Sequence, residues 1–360
     1  MPSFDVIIIG AGFAGGATAY HLSKIFSGRI LLLEKENEIG VHASGRNAGL
    51  LRQAVERADT AALIAETRDA LFSPPDDWET RGLFQAQGSL LLGDFDTLQT
   101  LRSNMKNAEK EADLLAFEAL LKKFPASISK TLSRMEAPYA LHTKRDGVLD
   151  PKLLLENFIK PALRRGVVLK LNSEVRELKK SGDIWELKTD EGKFSSPILV
   201  NASGAWAAPL AAGIAFPREE LTPFRRHLYL SEGREEIDPS WPFLWDINKE
   251  FYFRPHQEGL LWSAGDEDPQ TPKNPEVDPS VKKILLEKAA AIFQSLPILR
   301  VKKSWACLRT KSRSGRFLID WDEEAQGFLW VAALGGHGLS ASFGVGRCAA
   351  EKIASVLEKK

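Results

Sequence analysis

The strongest constraint on what this chain can fold into lies in residues 4 to 34. Phe4 to Ile9 is a short apolar run rich in branched residues; it stops at Gly10, gives way to a helix-like stretch from Phe13 to Phe26, and is followed by a second apolar run, Arg29 to Leu33. The change of period from strand to helix and back predicts a β-α-β unit. At the first junction Gly10, Gly12 and Gly15 form G-x-G-x-x-G. The first glycine permits a tight turn, the second lets the backbone approach a pyrophosphate, and the third lets helix and strand pack closely. Phosphates would then meet the N–H groups and positive dipole end of the helix. Glu34 closes the second run, where an acid accepts hydrogen bonds from a ribose diol and repels a 2′-phosphate, which disfavours NADP. An ordinary glycine-rich turn would not bring strand, helix, second strand and acid into one register. The unit predicts a bound dinucleotide, and alone it does not separate FAD from NAD.

A chain of 360 residues exceeds the roughly 250–300 at which a single core stops growing, so two lobes are expected. Its 48 basic residues balance 48 acidic ones; no net field draws it to nucleic acid or an anionic membrane, and charge selectivity must be local. Two cysteines, Cys307 and Cys348, are too few for a disulfide framework, and the start MPSFDVIIIG lacks the basic segment and cleavage site of a signal peptide. A reducing, cytoplasmic setting is expected. The longest apolar runs fall far short of the ~20 residues that span a bilayer, while hydropathy leaves peripheral membrane contact open.

After Glu34 a segment dense in Gly, Ser, Ala and Asn reads as an ordered loop leading into a helix, its small residues suiting close approach to a flat ligand. Residues 80 to 95 are expected to form a hairpin, and 96 to 135 carries helical periodicity. Asp150 and Pro151 open an amphipathic helix, Lys152 to Arg165, stopped by Gly166. Short strands are expected at Val167–Leu171, Glu174–Lys179, Trp185–Thr189 and Ile198–Asn201, the last running into Ala202, Ser203 and Gly204, a second close backbone approach at a strand end. Leu221 to Asp266 is strand-rich, and its aromatic residues are mostly expected in the core. Lys282 to Phe293 reads as a helix; Phe317–Trp321 and Phe328–Ala332 read as strands, followed by GGHGLSASFGVG and a final helix to Leu357. That glycine-dense turn supplies N–H groups for a further polar ligand group.

These pieces, in this order, resemble the D-amino-acid oxidase-like superfamily of FAD-dependent amine oxidoreductases, through VIIIGAGFAGGATAYHL, ASGRNAGLLR, DGVLDPKLLLENF, LVNASGAWAAPLA, FYFRP and WVAALGGHGLSASFGVG. HASGRNAG, FRRHLYL, SWPFLWDINKEFYFRP and SWACLRT look most like the bacterial D-arginine dehydrogenases, with other features similar to sarcosine and glycine oxidases. The resemblance implies an α/β (α+β overall) fold: a Rossmann-like FAD-binding domain of the glutathione-reductase type, residues 1–80, 140–212 and 304–360, interleaved with an antiparallel-sheet substrate domain, 81–139 and 213–303. It implies FAD, held non-covalently, and no metal. Gly10, Gly12, Phe13, Ala14, Gly15, Glu34 and Lys35 would hold the ADP half, and Ser44, Gly45, Arg46, Asn47 and Ala48 would line the flavin. Val175 would meet the adenine side, while Ala202, Gly204, Trp206 and Gly335, Gly336, His337, Gly338 and Leu339 would contact the pyrophosphate, ribityl chain and pyrimidine ring.

Oxidising an amino acid with a flavin mainly requires that the substrate be oriented, and a planar arginine fork does this with two charge-assisted hydrogen bonds to a carboxylate. By resemblance Arg309 occupies the carboxylate-binding place, Arg225 or Arg226 that of a second arginine, and Arg52 that of the sarcosine-oxidase arginine. Three arginines would make an unusually positive pocket suited to an acidic or dicarboxylic substrate. Tyr252 matches a tyrosine that closes over substrate, and His337 would stabilise reduced anionic flavin as a cation or an N–H dipole. Ser89 stands where the D-arginine dehydrogenases have a side-chain-recognising glutamate, Leu50 and Val55 replace their His and Tyr, and Ser340 stands where sarcosine oxidase has a lysine associated with oxygen activation. These departures argue against D-arginine and against efficient use of O2. Cys307 falls near the covalent flavin cysteine of sarcosine oxidase, but a small buried role is expected of it.

The expected activity is oxidation of a D-amino acid or secondary amino acid, a small carboxylate-bearing amine, with electrons passing to a quinone, a carrier or O2. A 2-hydroxy-acid dehydrogenase on the same fold, and a non-catalytic flavin-binding component of a complex, are the alternatives.

Overall fold

The computed structural model describes residues 2–125, 129, 132–133, 135, 137–232, 238–292 and 300–358. Val6–Ile9 is buried on both faces, as a central parallel strand must be. It pairs in parallel with Ile30–Leu33 and Ile198–Asn201. The sheet around it runs Leu318–Trp321, Phe328–Ala332, Ile198–Asn201, Val6–Ile9, Ile30–Leu33, Val168–Lys170, with only the first pair antiparallel. Helix Phe13–Ile25 packs on one face between Pro151–Arg164 and Ser342–Leu357. A Cβ at Gly346 would lie 2.5 Å from the Ala17 side chain, so only glycine lets those two helices touch so closely. Leu178, Trp185, Leu187 and Phe194, from a small three-stranded antiparallel sheet, cover the opposite face. Its third strand, Gly192–Ser196, was not expected from the sequence, because glycine and two serines hide a period that only Phe194 marks. The Pro151–Arg164 helix starts where expected: the Asp150 side chain accepts from Leu153 N at 3.0 Å, and Gly166 ends it at φ +95°.

The second lobe is a large sheet, nine-stranded among the described residues. The long strands Leu221–Ser231 and Val301–Ser312 pair antiparallel along their lengths, and Gly259–Ser263, Phe251–His256 and Phe243–Asp246 follow. The expected hairpin at 80–95 is not formed. Phe84–Gln85 pairs with Gly147–Leu149, whereas Ser89–Gly93 joins the large sheet between Phe243–Asp246 and Tyr139–Thr143. The chain is redirected at Gly88, φ +78°, so each strand satisfies its backbone in a different sheet. The helical reading of 96–135 is corrected in part: Phe95–Ser103, Ala108–Glu111 and Phe117–Leu121 are helical, but Ala112–Ala116 is a strand paired with Tyr139–Thr143. Residues 126–128, 130–131 and 134 of that stretch, and the expected helix end at Phe293, lie outside the described residues. The preceding helix spans Pro279–Ile292.

A buried polar network ties the lobes together. Arg68, 1% exposed on helix Ala58–Phe72, donates to Glu111 Oε2 at 2.6 Å and to Gln53 Oε1 at 2.8 Å. Asp146 accepts from Gln53 N at 3.1 Å, Gln53 Nε2 at 3.0 Å and Ser89 Oγ at 2.6 Å. Burial pushes the Asp146 carboxyl up to about 7, the hydrogen bonds opposing it. An unfolded aspartate titrates near ~3.9, so across roughly pH 4–7 the folded chain keeps a proton that the unfolded chain releases, and stability falls as pH rises. Asp146→Asn should remove this component. In urea unfolding, the stability of wild type minus that of the variant should decline from pH 4 to 7 by on the order of a few kcal/mol; a flat or rising difference would refute the assignment.

Candidate functional site

A cavity of about 630 Å³ runs from the parallel-sheet lobe to the large sheet. Its first part is built from strand ends. Gly10 turns at φ +101° with its Cα so close to the next strand that a Cβ would lie 2.5 Å from Ala202 O, and a Cβ at Gly12 would lie 2.7 Å from Ser44 Oγ. No side chain caps the helix at Gly12, and Ser44 Oγ accepts from Phe13 N at 3.0 Å. The positive end of the helix therefore faces the cavity. Glu34, 8% exposed, accepts from Ala11 N at 2.9 Å and Glu36 N at 3.1 Å, leaving lone pairs for a diol. Gly204, φ +60°, has nothing within 4 Å of where a Cβ would stand, so that turn presents bare backbone. The loop after Glu34 is ordered by the other lobe: Arg254 Nε donates to Ala48 O at 2.5 Å and Trp305 Nε1 to Arg46 O at 3.3 Å.

The far wall is one face of the large sheet. Arg226 lies opposite Cys307, Phe224 opposite Arg309, and Trp245 opposite Tyr252. With a side-chain period of two, Cys307, Arg309 and Lys311 share a face. All three line the cavity, with Arg226, Tyr252 and Trp245. Arg309 Nη2 donates to Tyr252 Oη at 3.2 Å, and among the described residues no carboxylate pairs with Arg309. Burial opposes its charge, but Tyr252 and Cys307 outweigh it and hold the guanidinium's pKa above the ordinary value. Arg226 Nη2 meets Glu267 Oε1 at 2.5 Å, and Lys311 Nζ meets both Glu267 oxygens at 2.6 Å. From the opposite side Arg52 stacks over Trp245 at 4.4 Å and pairs with Glu56 at 2.7 Å. Burial and then Arg52 lower His337 to about 3, so it enters the site as a neutral dipole rather than a cation. Burial would raise Glu56, but Arg52 and His337 prevail and lower it to about 2.

The family model for FAD-dependent oxidoreductases of the DAO type matches residues 5–352. The chain belongs to this family. Over 370 residues it is 25% identical to a glycerol 3-phosphate dehydrogenase of Caloramator mitchellensis, covering 99% of this chain and 76% of that protein. Over 365 residues it is 24% identical to the monomeric sarcosine oxidase of a Bacillus species, covering 95% and 90%. The solved glycine oxidase of Geobacillus kaustophilus superposes with a TM-score of 0.83 at 20% identity, covering 99% of this chain and 95% of that one. The chain spans only 28% of the mouse mitochondrial sarcosine dehydrogenase that it also matches.

As a DAO-family flavoenzyme the protein binds FAD, and the cradle fits the cofactor: a helix N-terminus at the cavity for phosphate, a buried acid for ribose, and a cavity that reaches from them to the sheet. The residues named from the sequence fall here with two kinds of exception. Gly15 and Gly45 do not line the cavity; each permits a backbone crossing, with a Cβ falling 1.9 Å from Gly10 O or 2.3 Å from Gly40 O. Arg225 does not line it either, pairing instead with Asp268 at 2.8 Å and Asp278 at 3.0 Å and so bracing the segment that follows Glu267. Leu50 lines the cavity, but Val55 and Ser89 are buried elsewhere. Ser89 is engaged by Asp146, so its identity does not bear on a side-chain pocket here. Sequence reasoning missed Lys311, Glu56, Glu267 and Trp245. Lys311 carried a signal, being two positions from Arg309 on one strand; the acids lie on segments with no periodicity. Gly10→Ala would place a methyl against Ala202 at a strained φ, and the variant should purify with substoichiometric flavin, read from the ratio of flavin to protein absorbance. Full flavin content would remove Gly10 from the cradle.

Proposed function

We propose that the protein oxidises the Cα–N bond of a small carboxylate-bearing amine, a D-amino acid or a secondary amino acid, to an imine that hydrolyses to a 2-oxo acid. One observation carries the reading: Arg309 is charged, faces the cavity and has no carboxylate of its own among the described residues, while Tyr252 Oη at 3.2 Å holds one side of its fork in place. Such a group is matched by a ligand carboxylate, bound bidentately. Bound FAD supplies the acceptor for the two electrons and the hydrogen leaving Cα. The chain's own residues orient and shield: Arg309 fixes the carboxylate, the Tyr252 hydroxyl stands beside it, and Trp245, against Tyr252, excludes water from the wall. Neutral His337 offers an N–H or a lone pair without adding charge. The names of the Bacillus sarcosine oxidase and the Geobacillus glycine oxidase support an amine substrate. D-Arginine is not proposed, because Arg226, Arg309 and Lys311 would repel a second guanidinium.

A second reading, oxidation of a hydroxyl-bearing anion, is favoured by the glycerol 3-phosphate dehydrogenase relative. Ser340, committed to Leu50 O at 2.8 Å, stands where the sarcosine-oxidase pattern has its lysine, so a quinone or carrier is proposed as electron acceptor in preference to O2. Among the described residues no helix is long and apolar enough to cross a membrane, and a cytoplasmic location is part of the proposal, with Cys307 and Cys348 as free thiols.

Anaerobic mixing of the flavoprotein with D-amino acids, N-methyl amino acids and 2-hydroxy acids should bleach the flavin with members of the first two groups; bleaching by hydroxy acids alone would replace this reading with the second. Arg309→Ala should lower kcat/KM by roughly a hundredfold, the loss of two hydrogen bonds to a charged group, and unchanged kinetics would remove Arg309 from the site. Cys307, 2% exposed beside Arg309, is proposed to leave the flavin free. Acid precipitation should then release all of the flavin to the supernatant, and yellow precipitate would show a covalent bond.

A further inference from the structure

We propose that the substrate is a compact dianion whose second anionic group is held by Arg226 and Lys311, beside Glu267. The inference rests on Arg309 as the binding site of the first carboxylate. On the cavity wall, Arg226, Arg309 and Lys311 occupy successive alternate rungs of one antiparallel pair, Leu221–Ser231 with Val301–Ser312. The carboxylate among them is Glu267, shared between Arg226 at 2.5 Å and Lys311 at 2.6 Å. Two cations divide one anion, so this corner keeps a positive charge in addition to that of Arg309. Across the cavity Arg52 is already neutralised by Glu56 at 2.7 Å, and Glu250 lies in the field of Lys288. His337 is neutral. Among the described residues, the large-sheet wall is therefore left with two uncompensated positive charges.

The corner is built as a site with a vacancy in its hydrogen bonding. Arg226 is 6% exposed, and its buried Nε has no hydrogen-bond partner. Glu267 cannot swing across to supply one at will, because its neighbours are fixed: Asp266 accepts from His227 N at 3.1 Å and meets His227 Nδ1 at 2.6 Å, and Asp268 is held by Arg225 at 2.8 Å. An incoming anion completes the pair of cations. Arg226 and Arg309 are diagonal neighbours across the two strands, with backbones about 7–8 Å apart, a separation suited to two anionic groups joined by a short chain. The distal group is a carboxylate or a phosphate, which share this chemistry. A monocarboxylate with an apolar side chain would leave the Arg226–Lys311 corner uncompensated, at the cost of a buried, half-satisfied cation.

The experiment titrates the holoenzyme with unreactive acids, acetate, succinate and 2-phosphoglycolate, reading the shift of the flavin absorbance. Succinate or 2-phosphoglycolate should bind about tenfold or more tightly than acetate, the order of one added charge-assisted contact; the tighter of the two identifies the distal group as carboxylate or phosphate. Lys311→Gln, at a half-exposed position suited to a folded variant, and Arg226→Gln should abolish the preference by weakening succinate and 2-phosphoglycolate several-fold more than acetate. Glu267→Gln should widen it. Equal binding of acetate and both dianions by wild type would overturn the proposal. So would Arg226→Gln weakening acetate as much as succinate, since both arginines would then grip one carboxylate. Because these acids are not oxidised, the result is independent of whether amines or hydroxy acids bleach the flavin.

Discussion

A Cβ at Gly15 would lie 1.9 Å from the carbonyl oxygen of Gly10. That contact between the first helix and the end of the first strand sets the geometry on which the molecule depends. It brings the helix down onto the strand end and aims its N-terminus into the cavity. No other residue fits at Gly15, so the crossing angle and the cofactor cradle are decided together. The missing side chains at Gly10 and Gly12 complete the cradle by admitting Ala202 and Ser44.

The reactive end of the cavity has a different origin. Its wall is an ordinary antiparallel face, and its character comes from placing cations at alternate positions of a single strand, Arg309 and Lys311, next to Arg226 on the neighbour. Two lobes must stay in register for that wall to face the cradle. The Arg68–Glu111 pair, the Gln53–Asp146–Ser89 chain and the Arg254–Ala48 contact provide the register. Each member of the Arg68–Glu111 pair has a second partner, Asp69 for Arg68 at 2.7 Å and Arg145 for Glu111 at 3.2 Å, so the network is cross-braced rather than resting on one contact. It also accounts for Ser89: a residue spent on interlobe register is not free to read a substrate side chain.

Much of the fold was legible along the chain. The β-α-β unit, the helix from Asp150 to Gly166 and the strands at Ile198 and Phe328 carry strong local signals: uniform apolar runs, a capping aspartate, a glycine stop. The failures fall where local signals conflict with tertiary demand. Phe84–Gln85 and Ser89–Gly93 are adjacent in sequence and look self-pairing, but each has a better partner elsewhere. Ala112–Ala116 has helical composition and is drawn into the sheet by Tyr139–Thr143.

At the site the division is similar. Gly10, Gly12, Glu34 and the 335–339 turn could be named from the sequence because cofactor binding uses backbone geometry, and backbone geometry leaves glycine and acid at fixed spacing. The arginines could be named but not sorted: Arg225 and Arg226 are neighbours, and strand alternation sends one to brace a loop and the other into the cavity. The acids that set the local charge, Glu56 and Glu267, come from segments without periodicity and meet their cations only after folding. The sequence by itself determined the dinucleotide cradle and the family. The tertiary structure decided which charges face the cavity and which cancel, because net charge at a point depends on contacts between residues that are distant along the chain.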